Sequence, residues 1–93
     1  MPSVLVAEDN RDSLELVRDI LLSLGYTPVL AENGRQALDL IAAQPPDLVI
    51  LDINMPEIDG FEVCATIKRN PATAKIPVII LTAREGVEHT VGG

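Results

Sequence analysis

Short apolar runs divide the chain at nearly regular intervals. Each run is rich in Val, Ile and Leu and shows no alternation with polar residues, as expected of a strand whose two faces are both covered. We therefore predict four buried parallel strands, at Ser3–Ala7, Pro28–Ala31, Asp47–Leu51 and Pro77–Leu81. No segment after the last run has the pattern of a fifth strand.

The segments between these runs carry apolar residues at helical spacing and predict amphipathic helices. The predicted helices are Asp12–Leu24, Arg35–Gln44 and Phe61–Arg69. We expect Asp12 or Ser13 to cap the first helix and Gly25 to end it, and we expect Asn33-Gly34 to turn the chain before the second. Alternating strands and helices predict an α/β fold, an open parallel sheet with helices on both faces.

The composition narrows the class of protein. A chain of 93 residues with 47% hydrophobic residues is sufficient for one domain, here residues 1–93, with its own core. Fourteen acidic residues against seven basic ones give a net charge of −7, which repels nucleic-acid phosphates. Tyr26 and Phe61 are the only aromatic residues for base stacking. We therefore expect no direct binding of nucleic acid.

Cysteine content and hydropathy indicate the compartment. The single Cys64 cannot form an internal disulfide, and no cationic, apolar leader opens the chain. No apolar run approaches the roughly 20 residues that cross a bilayer. We therefore expect a cytoplasmic protein without membrane contact.

Polar side chains follow three of the predicted strands at the points where the strands end. They are Glu8 and Asp9 after the first strand, Asp52 and Asn54 after the third, and Thr82 after the fourth. Because the carboxyl ends of parallel strands share one edge of the sheet, we expect these groups to lie close together. Clustered carboxylates require a proton or a hard cation, and Mg²⁺ prefers oxygen ligands. The pattern predicts a magnesium site at Asp9 and Asp52, and no nearby Cys or His favours zinc.

A carboxylate beside such a metal is also a candidate nucleophile for phosphoryl transfer. Thr82 is a candidate donor of a hydrogen bond to the phosphoryl group. The chemistry ordinarily requires a cation on the far side of that group, usually a Lys. The two lysines of the chain, Lys68 and Lys75, do not end an apolar strand, and we expect them to belong to a solvated face.

Three segments together resemble the receiver domain of two-component response regulators, over essentially the whole chain. They are the acidic pair in Val4–Asn10, the Asp followed by Met-Pro-x-x-Asp-Gly in Leu48–Gly60, and the strand ending Thr-Ala in Pro77–Ala83. The resemblance implies that Asp52 is the phosphoacceptor and that Asp9 binds Mg²⁺ directly. It further implies that Glu8 binds the ion through water and that the backbone carbonyl of Asn54 is another metal contact. Thr82 would hydrogen-bond the phosphoryl group and move with it.

The resemblance also implies an architecture and a partner. The fold would be flavodoxin-like with strand order 2-1-3-4, the fifth strand and fifth helix of the family being missing. The phosphoryl group would come from a histidine kinase or a phosphotransfer protein, and the domain would be a switch that phosphorylates and dephosphorylates itself rather than an enzyme. The side chains of Asn54 and Arg84 match the family's two variable positions that tune the lifetime of the phosphoaspartate.

The sequence departs from the family after its Thr-Ala strand. The family's fifth strand with its Lys-Pro, its aromatic switch residue and its fifth helix have no counterpart, so the domain is expected to be incomplete at its carboxyl end. Without a fifth strand, Val78–Leu81 would be an apolar edge, and the helix Asp12–Leu24 would lose a neighbour. Since such edges pair readily with other chains, we expect self-association through the edge or the first helix.

Two other functions fit parts of the same pattern. An acid after the first strand and an Asp-x-acid after the third suit a Toprim-like Mg²⁺ module that acts on nucleic acid, although Asn54 replaces the last acid. A receiver-like module that is not phosphorylated and serves only as a dimerisation or docking surface would fit the absent Lys. Taken singly, Asp9 and Asp52 also suit helix caps, and Asp59-Gly60 suits the end of a turn.

Overall fold

The computed structural model of the chain describes residues 2–53, 55 and 57–81. Strands and helices alternate along this part of the chain, as the apolar pattern predicts. The strands are β1 (Ser3–Ala7), β2 (Thr27–Ala31), β3 (Leu48–Asp52) and β4 (Val78–Leu81), and the helices are α1 (Arg11–Ser23), α2 (Gly34–Ala43) and α3 (Gly60–Arg69). Each lies within one residue of its prediction at either end.

The strands form one parallel sheet in the order β2-β1-β3-β4. Ala7 of β1 pairs with Ala31 of β2 on one side and with Leu51 of β3 on the other. Asp52, the last residue of β3, pairs with Leu81 at the end of β4. The predicted α/β fold and strand order are therefore confirmed, and the carboxyl ends of the strands lie along one edge.

Each face of the sheet has its own apolar core. Successive residues of β1 belong to the two cores in turn. Leu5 and Ala7 lie in the larger core with α2 and α3, while Val4 and Val6 lie in the smaller core under α1. Burying a side chain such as Leu5, which is 1% exposed, contributes about 1.5–3 kcal/mol. The absence of alternation in the strand sequences is explained by this burial on both faces.

Asparagine and aspartate side chains begin the three helices. Asn10 Oδ1 accepts the N–H of Ser13 at 3.1 Å, so the cap of α1 is Asn10, and the prediction of Asp12 or Ser13 was wrong. Asn33 likewise caps α2, where a turn was predicted, and Asp59 caps α3. These caps satisfy amide groups that the first helical turn leaves without partners. Gly25 follows α1 with a φ of +89°, a conformation that favours glycine.

The α1 face of β4 is less covered than the rest of the sheet. Ile79 pairs with Ile50, which lies in the core under α1, yet Ile79 is 47% exposed and Leu81 is 40% exposed. The predictions for the segment after β4 fall on residues 82–93, which lie outside the described residues. In the described part of the chain, every helix is too short or too polar to cross a bilayer.

Candidate metal centre

Two adjacent strands bring three carboxylates together at the carboxyl edge of the sheet. Glu8 and Asp9 follow β1 directly, and Asp52 is the last residue of the neighbouring β3. One oxygen from each carboxylate lies within 4.8 Å of the others. Residues separated by more than forty positions in the sequence thus share one small volume, because parallel strands place their ends side by side.

The three carboxylates differ in their access to solvent. Asp52 is only 4% exposed, Glu8 is half-buried and Asp9 is exposed. The Oδ1 atom of Asp52 is buried and has no hydrogen-bond partner among the described residues. A buried acceptor without a partner is costly, and a charged one more so. A cation at this position would remove that cost.

The environment of Glu8 changes its acidity. Burial raises the pKa of the Glu8 carboxyl to about 6, and the charge of Asp52 acts in the same direction. The hydrogen bond that a protonated Glu8 can donate to Asp52 also raises the pKa of Glu8. The N–H of Asn10, which donates to Glu8 Oε2 at 3.3 Å, lowers the pKa but does not reverse the other effects. At neutral pH the cluster therefore carries repelling charges that a metal ion would neutralise.

The ion pairs in the described part of the chain do not include these three acids. Arg11 lies nearby in sequence, but its guanidinium is bound to Glu32 at 2.6 Å. Lys68 lies at the end of α3, at the opposite edge of the sheet, and its Nζ donates to the carbonyls of Ala74 and Ile76 at 3.1 and 2.7 Å. Lys68 is exposed, as expected of a solvated face, and these two bonds also hold the loop that leads into β4.

The loop between β3 and α3 closes tightly over the end of β3. The carbonyl of Ile53 accepts both the N–H of Met55 and the N–H of Gly60, each at 3.2 Å. Met55 is 7% exposed and packs in the larger core, while Glu57 has a φ of 70°. Asp59 Oδ1 accepts the N–H of Glu62 at 2.9 Å, so this residue has a definite structural role as a helix cap.

The donor set is compatible with Mg²⁺. Its atoms are all carboxylate oxygens, which this hard cation prefers, and the Oδ1 atom of Asp52 is a buried acceptor in need of a positive partner. Cys64 lies within α3 rather than at the carboxyl edge, so it adds no soft ligand.

Several predicted site residues lie outside the described residues, namely Asn54, Thr82 and Arg84. The residues around two of them are described. The N–H of Ile53, which precedes Asn54, donates to the carbonyl of Leu81, which precedes Thr82, at 3.2 Å. The contact of Asn10 with Glu8 could not be predicted from the sequence, because Asn10 offers no signal beyond following two acids.

Comparison with known proteins identifies the family. The sequence model of the response regulator receiver domain matches residues 4–92. The chain belongs to this family. Response regulator MprA of Mycolicibacterium vanbaalenii is 43% identical over 90 residues, an alignment that spans 97% of this chain and 38% of that protein. The chain therefore spans about two fifths of the length of this curated relative.

Solved receiver domains have the same fold. The N-terminal domain of a response regulator receiver protein from Methanoculleus marisnigri matches with a TM-score of 0.86 and 38% identity, over 97% of this chain and 77% of that one. The signal receiver domain of a signal transduction histidine kinase from Syntrophus aciditrophicus matches with a TM-score of 0.87 and 35% identity. The match covers 98% of this chain and 69% of that one. Membership of the receiver family decides against the Toprim-like alternative.

Proposed function

We propose that this receiver domain accepts a phosphoryl group on Asp52 from a histidine kinase or a phosphotransfer protein, with Mg²⁺ bound by the acidic cluster. The observation that carries the proposal is the cluster itself, in which oxygens of Glu8, Asp9 and Asp52 lie within 4.8 Å and Asp52 Oδ1 is buried without a partner. A buried charge this poorly compensated is costly to folding, and such arrangements are typical of functional sites.

The transfer would use the Asp52 carboxylate as the nucleophile. One of its oxygens forms a bond to phosphorus while the phosphorus–nitrogen bond of the donor's phosphohistidine breaks, and the imidazole nitrogen keeps the electron pair and takes up a proton. Mg²⁺, when bound, would offset the charge of the phosphoryl oxygens and of the carboxylates. Glu8 and Asp9 would hold the ion, together with the backbone carbonyl of Asn54. Asp52, fixed at the end of β3, would present its oxygen to the donor.

Phosphorylation would then work as a switch rather than as a step in catalytic turnover. The phosphoaspartate carries roughly −1.5 to −2 charges where the carboxylate carried −1, at the end of β3 and beside the end of β4. Thr82, which directly follows β4, would donate a hydrogen bond to the new phosphoryl group and bias the following segment between two arrangements. Asn54 and Arg84 would flank the group and set how long it survives.

Intact-mass spectrometry tests the proposal. Acetyl phosphate with Mg²⁺ should add one phosphoryl group to the chain, and neither Asp52→Asn nor omission of Mg²⁺ should allow the addition. Asp59→Asn is the matched control in the same loop, because asparagine caps a helix as well as aspartate does, and it should be labelled like the wild type. Labelling that survives in Asp52→Asn would contradict the proposal, and a wild type that takes no label would favour the silent scaffold.

We also propose that two copies associate through exposed apolar residues of β4 or of α1. These are Ile79 and Leu81 on β4, and Leu16 and Ile20 on α1. Pairing of such residues with a second copy would remove apolar area from water. Light scattering of the wild type should show a mass that rises with concentration. If β4 forms the contact, Ile79→Lys should keep the protein monomeric. If α1 forms it, Leu16→Gln should do the same. A constant monomer mass would contradict self-association.

A further inference from the structure

The amino end of α2 lies directly against the loop that follows Asp52. Gly34, the first residue of α2, is buried there. A Cβ atom added to Gly34 would lie 2.6 Å from the carbonyl oxygen of Ile58, 2.9 Å from Val63 Cγ2 and 3.0 Å from Ile58 Cβ. The nearest of these is a backbone atom, which cannot turn aside as the end of a flexible side chain can.

A second glycine continues the contact from the loop to the acceptor residue. A Cβ atom on Gly60 would lie 2.6 Å from the carbonyl oxygen of Asp52 and 3.1 Å from Ile53 Cα. The N–H of Gly60 also donates to the carbonyl of Ile53. Backbone contacts therefore run from the start of α2 through Ile58 and Gly60 to Asp52, without a flexible side chain between them.

Two described residues of the loop, Met55 and Glu57, have defined positions. Met55 is held in the larger core, and Glu57 has a positive φ that a residue with a side chain adopts only when its surroundings impose it. A displacement of Ile58 is passed through Asp59 to Gly60, which lies against the backbone carbonyl of Asp52.

We infer that Gly34 is a positioning residue for the acceptor loop: only a hydrogen at this position allows Ile58 to seat on α2 and so fixes the backbone of Asp52. The inference rests on the proposed function of Asp52. An alanine at position 34 forces the carbonyl of Ile58 to retreat by roughly 0.8 Å to reach an ordinary contact of 3.4 Å. Misplacement of a reacting group by about 1 Å lowers rates on the order of a hundredfold.

The test compares Gly34→Ala with Gly25→Ala. Gly25 has a φ of +89° and open space around it, so the same chemical change strains the chain at a place away from the site. Both variants are measured under conditions where urea unfolding shows each to be folded. We expect Gly34→Ala to lower the rate of Mg²⁺-dependent phosphorylation by acetyl phosphate by about ten- to a hundredfold, and to weaken Mg²⁺ binding, while Gly25→Ala changes neither. Equal rates and affinities in the two variants would overturn the inference.

A second measurement needs no metal and no phosphoryl donor. In Gly34→Ala the backbone amide of Gly60 should change its NMR chemical shift and exchange faster with deuterium, because its bond to Ile53 is displaced; in Gly25→Ala it should not. Unchanged Gly60 signals would overturn the inference. Should the wild type accept no phosphoryl group, the proposed function fails, but this measurement still decides whether Gly34 positions the loop.

Two additional variants separate the backbone contact from the side-chain contact. Adding Val63→Ala to Gly34→Ala removes the contact at 2.9 Å but leaves that with the Ile58 carbonyl, so phosphorylation and the Gly60 signals should stay impaired. Full rescue would show that Gly34 serves only core packing. Should Gly34→Ala not fold, Ile58→Gly frees the loop without adding an atom and should weaken Mg²⁺ binding and shift Gly60; a variant that behaves like the wild type would overturn the inference.

Discussion

The two edges of the sheet differ in whether their charged side chains have hydrogen-bond partners within the chain. At the amino edge, Asp47 Oδ2 accepts the N–H of Ser3 at 2.8 Å, and Lys68 donates to two carbonyls of the loop before β4. At the carboxyl edge, three carboxylates lie together and the buried Oδ1 of Asp52 has no partner among the described residues. The same four strands support both edges.

This contrast distinguishes residues that stabilise the fold, at the amino edge, from residues suited to bind a ligand, at the carboxyl edge. Charges at the amino edge are used within the chain, so their loss should cost stability and nothing else. Charges at the carboxyl edge oppose one another, so their cost to folding is offset only when a cation binds. Variants at the carboxyl edge should therefore lose the stabilisation by Mg²⁺, whereas variants at the amino edge should keep it.

The largest expected effect is on stabilisation by Mg²⁺. Binding at one site should raise the free energy of unfolding of the wild type by about 2.7 kcal/mol when free Mg²⁺ is a hundred times its dissociation constant. Asp52→Asn should abolish most of this gain and should be more stable than the wild type without metal, because it removes the buried, poorly compensated charge. Urea unfolding with and without MgCl₂ measures both. Asp47→Asn at the amino edge should keep the full gain in the free energy of unfolding. Loss of this gain in Asp47→Asn would contradict the difference between the two edges.

The next effect is on pH dependence. The pKa of Glu8 in the folded chain is about 6, above its ordinary value, so the folded state holds this proton more tightly than the unfolded state. The resulting stability of the metal-free protein is complete below the ordinary pKa and is lost as pH rises through about 6. Since Mg²⁺ competes with the same proton, its affinity should fall as pH drops below about 6, by up to roughly tenfold per pH unit if one proton is displaced.

Glu8→Gln provides the control for this prediction. The variant carries no proton to displace, so the contribution of Glu8 to the pH dependence should disappear from both Mg²⁺ titrations and metal-free unfolding curves. If Mg²⁺ affinity and metal-free stability of Glu8→Gln still change with pH as in the wild type, between the ordinary carboxyl pKa and about 6, a different group titrates there.

Loss of Lys68 should have a smaller effect, restricted to stability. Lys68→Met keeps most of the apolar length of the side chain but removes its bonds to the carbonyls of Ala74 and Ile76. We expect the free energy of unfolding to fall by about 1 kcal/mol, with Mg²⁺ affinity unchanged. A fall in Mg²⁺ affinity without loss of stability would show that Lys68 serves the carboxyl edge instead.

The smallest effect is expected at Asp47. Asp47→Ala removes the acceptor for the N–H of Ser3, an exposed bond that water can replace. The loss in urea unfolding should be about 0.5 kcal/mol, and the gain from Mg²⁺ should stay as in the wild type. A loss several times larger would mean that the amino edge depends on this bond more than its exposure indicates.

The fold could be predicted well from the sequence because the patterns that identify its strands and the end of its first helix are local. Apolar runs without alternation identify strands buried on both faces, and Gly25 identifies the end of α1. The caps were harder to assign, since Asn10 and Asp12 are both good capping residues and only the path of the backbone decides between them. The Asn33-Gly34 pair has the composition of a turn, and nothing local indicates that it begins a helix against another loop.

The grouping of three candidate site residues could be predicted from the sequence, but their geometry could not. Parallel strands imply that Glu8, Asp9 and Asp52 share an edge, whereas their separation and unequal burial depend on packing across the sheet. The positive φ of Glu57 has no sequence signal, because glutamate does not favour that conformation. The contact of Gly34 with Ile58 joins two distant segments, so no local pattern contains it.

The most direct test of the account is a Mg²⁺ titration followed by amide NMR on the metal-free chain. Saturable shifts should be concentrated at Glu8, Asp9 and Ile53, next to the three clustered carboxylates. Glu15 and Asp19, exposed acids farther along α1, serve as an internal control and should shift little. Absence of saturation, or shifts as large at Glu15 and Asp19 as at the ends of β1 and β3, would contradict the claim that this edge of the sheet binds the metal.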